Sequence, residues 1–127
     1  MENRHFQKIS AIALGAAFGY EPLITVRIIR ETGSPEAVFK LSEKERDALL
    51  GPFSKFRGKL SDSALEAAEK ELAELERRGL RFIDVGDSAF PPLLRECDDC
   101  PAGLYVRSDS AFEELFLGRP CLSVIGT

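Results

Sequence analysis

The sequence predicts an α/β chain, with helices over residues 1–78 and the first strands of a second unit from residue 79 onward. Three observations predict it. Apolar residues recur every three or four positions up to Arg78, the period shortens to brief apolar runs after Gly79, and the charge balance changes at the same place. The 127 residues carry a net charge of −4. Residues 1–78 hold 13 Lys/Arg and 13 Asp/Glu, whereas residues 79–127 hold 4 and 8, so the whole deficit lies in the second part. A net negative chain is not one that coats nucleic acid with its entire surface.

Each element follows from local chemistry. Phe6, Ile9, Ile12, Ala13 and Ala16 fall at helical spacing, with Asn3 as N-cap. Gly19-Tyr20 interrupts this helix. Pro22 suits the first position of the next, whose Leu23, Val26 and Ile29 are expected to face one way, and Gly33 supplies the stop. Ser34-Pro35-Glu36 opens a short third helix with Val38 and Phe39 inward. Ser42 and Glu45 form a capping-box pattern for a fourth, which ends at Gly51-Pro52. A fifth spans about residues 62–78 with a stripe of Leu65, Ala68, Leu72 and Leu75; Arg77 and Arg78 suit the negative end of its dipole, and Gly79 ends it.

Beyond Gly79, residues 80–85 read as a strand and Gly86-Asp87 as a turn. Pro91 and Pro92 lack amide donors, so Phe90–Leu94 begins a short helix or turn rather than a sheet strand. Leu104–Val106 is a second strand, Phe112–Phe116 a helical turn, and Cys121–Ile125 an unbroken apolar run typical of a buried parallel strand. Gly126-Thr127 after such a strand normally leads into a helix whose N-terminal amides bind an anion, so the sequence reads as a piece of a longer chain. The longest apolar runs fall far short of the ~20 residues needed to span a bilayer. With no secretory signal pattern, a cytoplasmic location with reduced thiols is expected.

The candidate sites are few. Cys97-Asp98-Asp99-Cys100 has the spacing of half a zinc site or a redox pair. Cys121 and His5 are the only further His or Cys ligands, and the two aspartates oppose thiolate formation, so two reduced thiols in a loop is the expected reading. His5 has no nucleophile to serve. Adjacent acids at 98–99 and 113–114 read as solvated surface. No cofactor, metal or catalytic residue is expected. The segment 53–59 is richer: Lys55, Arg57 and Lys59 interleave with Phe53 and Phe56, and no acid intervenes between Asp47 and Asp62. Cations among aromatics suit a single-stranded nucleic acid. The competing and favoured reading buries the phenylalanines in the core and leaves the cations solvated.

Gly79–Ile83, Gly86-Asp87, Phe90–Glu96, Pro101, Leu104–Arg107, Pro120 and Ser123–Thr127, taken as one ordered set, resemble the DNA-processing protein A (DprA/Smf) family. Residues 79–127 carry the resemblance, joined by the string Gly33–Ala37. The resemblance implies a SAM-like or helix-hairpin-helix-like domain over 1–78 and the truncated start of a Rossmann-like domain over 79–127. It further implies binding and protection of incoming single-stranded DNA in natural transformation, loading of RecA, dimerisation, and no catalysis. Ser123, Gly126 and Thr127 would form the stub of the family's DNA site, where an arginine belongs after the position of Thr127. The hairpin Ala17–Pro22 departs from a phosphate-gripping Gly-x-Gly turn, and Glu21 would repel phosphate there. The rival expectations are a protein-interaction module and a nucleotide-binding enzyme fragment.

Overall fold

The computed structural model describes residues 2–19, 21–52 and 54–108. They form α1 (Glu2–Ala17), α2 (Pro22–Thr32), α3 (Pro35–Phe39), α4 (Glu43–Leu50), α5 (Asp62–Arg77), β1 (Arg81–Asp84), α6 (Pro92–Arg95) and β2 (Gly103–Val106). The chain is therefore a helix-rich α/β protein. The expected helical turn at 112–116 and the strand at 121–125 lie outside the described residues.

Caps set most boundaries. The Ser42 hydroxyl accepts from the Glu45 amide and Glu45 accepts from the Ser42 amide, both at 3.2 Å, completing the capping box of α4. That hydrogen-bonded pair holds the Glu45 carboxyl below its ordinary value. At the other end of the bundle, Leu80 N–H donates to the Leu75 carbonyl at 2.9 Å and Gly79 N–H to Glu76 at 3.1 Å. This is a Schellman closure, and it needs the positive φ of 78° at Gly79. Arg77 and Arg78 both reach back to Glu74, and the hydrogen bond from Arg77 leads the effects that lower its carboxyl.

The core corrects two helix faces. α1 is no one-sided amphipath: Ser10, Ala11, Ile12, Ala13 and Leu14 are all buried, while Ala16 is exposed. It is the central helix, packed against α3 and α5 and touched by β1. Nor does Asn3 stand outside it as an N-cap, because α1 already runs through that position. In α2, Leu23 points to solvent at 68% exposure, and Thr25, Val26 and Ile28 are the buried residues. Thr25 is accommodated there because its hydroxyl donates to the Glu21 carbonyl at 2.9 Å.

β1 and β2 pair antiparallel, with Phe82 opposite Tyr105 and Asp84 opposite Gly103. Side chains alternate along a strand, and β1 uses both faces. Phe82 joins the main core of Ile12, Leu14, Phe18, Ile28 and Leu72, whereas Ile83 joins a second cluster with Val26, Ala89, Phe90 and Cys100. The hydrophobic core thus runs across the sequence boundary after residue 78. An isolated strand pair is marginal in water, so this packing is what holds it.

Candidate nucleic-acid interface

The cations of segment 53–59 sit on a loop tied down at both ends. Ser54 N–H donates to the Gly51 carbonyl, Arg57 N–H to Ser54, and Lys59 N–H to Phe56 at 2.9 Å. Phe56 is half-buried and meets Phe18 edge to face, with centroids 5.2 Å apart. The aromatic therefore anchors the loop to the helical core and is not presented for stacking on a base. Phe53 lies outside the described residues. Gly58, at φ 81°, turns the chain so that its N–H donates to the Asp47 carboxylate at 2.9 Å.

Lys55, Arg57 and Lys59 are all exposed. Lys55 lies 5.1 Å from the centroid of the Phe56 ring, and Arg57 makes long contacts to the Asp47 and Gly51 carbonyls at 3.5 and 3.4 Å. Folding therefore brings these three predicted residues onto one loop. It also brings Asp47 to the loop, an acid that the sequence gap between 47 and 62 leaves out. Ser123, Gly126 and Thr127 lie outside the described residues. At the α1–α2 hairpin, Gly19 has φ 62° and Glu21 is exposed.

Two buried ionic groups have no counterpart in the sequence reading. Arg46 is 4% exposed; its guanidinium donates to the Phe39 carbonyl at 2.8 Å, to Leu60 at 3.1 Å and to Asp62 at 2.9 Å, and it lies 5.1 Å from the Phe39 centroid. It closes α3, α4 and the approach to α5 into one body. Asp84 is 3% exposed. One of its carboxylate oxygens accepts from Gly86 N–H at 3.1 Å and the other has no partner among the described residues.

Burial, followed by the nearby charge of Asp87, pushes the Asp84 carboxyl above its ordinary value. An acid with a raised folded-state value binds more protons folded than unfolded. Its stability contribution is therefore fullest at low pH and declines as pH rises from the ordinary carboxyl range to the raised value. Asp84→Asn removes this slope. The variant's stability relative to the parent should be greater at neutral pH than at about pH 3, below the ordinary carboxyl value of about 3.9. Urea denaturation at the two pH values checks it; an advantage that grows on acidification would show that Asp84 is stabilised as a carboxylate.

A cleft of about 220 Å³ lies where α2 ends against the 95–101 segment, lined by Val26, Arg30, Pro35, Val85, Arg95 and both Cys97 and Cys100, among others. Arg95 donates to the Val85 and Asp87 carbonyls at 3.0 and 2.8 Å, and Arg30 pairs with Asp98 at 3.1 Å. Cys97 is exposed as expected of a loop thiol, but Cys100 is not: it is 4% exposed and belongs to the second cluster. His5 meets Glu69 at 3.4 Å, on α5. No group of three or more His, Cys, Asp or Glu suited to a metal occurs among the described residues, and no described helix is long and apolar enough to cross a membrane.

No family model matches the chain, and neither a curated protein nor a solved structure gives a significant match.

Proposed function

We propose that this chain serves single-stranded-DNA binding of the DprA/Smf kind, acting without catalysis in the cytoplasm, with RecA as protein partner and dimerisation as in that family. A SAM-like domain followed by a Rossmann-like one is part of the same proposal. The observation that carries the DNA reading is the anchored loop: three exposed cations, Lys55, Arg57 and Lys59, stand within five residues on a segment fixed to the core by Phe56. Such a fixed row suits a phosphate backbone, whose contacts are electrostatic and independent of sequence.

Three phosphate contacts imply a log–log salt slope of about −2, at roughly −0.7 per contact for single strands. The triple change Lys55→Ala, Arg57→Ala and Lys59→Ala should flatten that slope and weaken binding of a labelled oligonucleotide, measured by fluorescence anisotropy with the helical circular dichroism unchanged. Phe56→Ala should instead lower stability, by up to about 3 kcal/mol for a partly buried aromatic, and weaken binding less than the triple change does, because all three cations remain. Unaltered affinity and salt slope in the triple variant would refute the assignment.

A second reading, a protein-interaction module, draws on Leu23 and Leu93, the latter 79% exposed. Exposed apolar side chains are common on their own, but these would serve as contacts in a partner interface.

A further inference from the structure

We propose that Cys97 and Cys100 form a reversible disulfide within the chain, a redox-modification site at the mouth of the cleft between α2 and the 95–101 segment. Three observations carry it. Cys100 N–H donates to the Cys97 carbonyl at 3.2 Å, so residues 97–100 form a hydrogen-bonded turn. Such a turn holds its first and fourth Cα atoms within about 7 Å, and disulfides bridge Cα separations of about 4.4–6.8 Å. Both residues line the same cleft, and both are free thiols.

The two sulfurs divide the work. Cys97 is exposed and can meet an oxidant from solution, whereas Cys100 is buried and can meet only what Cys97 brings to it. A low-molecular-weight disulfide, RSSR, is the oxidant class that this arrangement suits. The Cys97 thiolate attacks one sulfur of RSSR, forms the mixed disulfide and expels RS⁻. Cys100 then loses its proton and attacks the Cys97 sulfur, expelling the second RS⁻. The chain loses two electrons and two protons, and RSSR becomes two RSH. Burial pushes the Cys100 thiol up, with Cys97 and Asp99 adding to the shift and Arg95 opposing it. The second step therefore speeds up as pH rises.

Metal binding is a poorer use of the same pair. A structural zinc site needs four ligands, and the described residues offer no such cluster.

The test uses the whole chain, incubated with oxidised glutathione, alkylated and digested with trypsin. Cleavage after Arg95 and Arg107 releases Glu96–Arg107, which holds both thiols and separates them from Cys121. The expected product is that peptide lighter by two hydrogens and unreactive to alkylation, restored by dithiothreitol. Cys100→Ser should instead accumulate a stable glutathione adduct on Cys97, and Cys97→Ser should leave Cys100 unmodified. A wild-type peptide that keeps its glutathione, cross-links to the Cys121 peptide or stays fully alkylatable would overturn the proposal.

Discussion

Gly103→Ala is expected to destabilise the protein by about 3 kcal/mol, at the upper end for overpacking against a buried ring. A Cβ built on Gly103 would stand 2.1 Å from Cζ of Phe82, with the neighbouring ring carbons at 2.7 and 2.8 Å. Phe82 cannot simply swing aside, because its ring packs into the helical core and against Tyr105, centroids 5.1 Å apart. The clash is with the ring, since Gly103 is not among the described glycines with positive φ. Trimming the ring should therefore relieve it: Phe82→Leu combined with Gly103→Ala should cost less than the sum of the single changes. Urea unfolding of the four proteins measures this coupling, and strictly additive losses would place the ring elsewhere.

Arg46→Met should cost about 3 kcal/mol in the same assay. The loss strands the Phe39 and Leu60 carbonyls, each worth about 1–3 kcal/mol when buried and unpaired. Lysine should rescue little, because one ammonium cannot reproduce a planar fork that serves several acceptors. The carboxylate partner matters less. Asp62 is largely exposed, so Asp62→Asn should cost no more than about 1 kcal/mol. If Asp62→Asn proved as damaging as Arg46→Met, the ion pair rather than the carbonyl contacts would hold this corner.

Caps were the most legible part of the sequence. Ser42 with Glu45, Pro22, Gly33, Gly51 and Gly79 each mark a helix end that the structure shows within a residue or two, because capping depends on neighbours along the chain. Helix faces were less legible where apolar residues surround the axis. α2 carries Leu23, Ile24, Val26, Ile28 and Ile29, a set that no single stripe selects, and its burial is decided by where α3 and the second cluster lie. Arg46 and Asp84 were illegible for a different reason. Arg46 looks like one more charge in a solvated helix turn, and two of its partners are backbone carbonyls, which carry no sequence signal. Within the candidate interface, the cations of 55–59 could be read directly, whereas the approach of Asp47 required the turn at Gly58.

The passage of Phe82 and Ala102 into the helical core bears on how this chain can come apart. A strand pair that fills a gap among helices is a plug, and removing a plug exposes the socket. The five helices without residues 81–106 would present an apolar hollow beside α1 to water, and the strands without the helices would leave Phe82 and Ala102 stripped of their core packing. Helices and strands are therefore expected to melt in a single transition, and neither part can be exchanged for a foreign equivalent unless its mate travels with it.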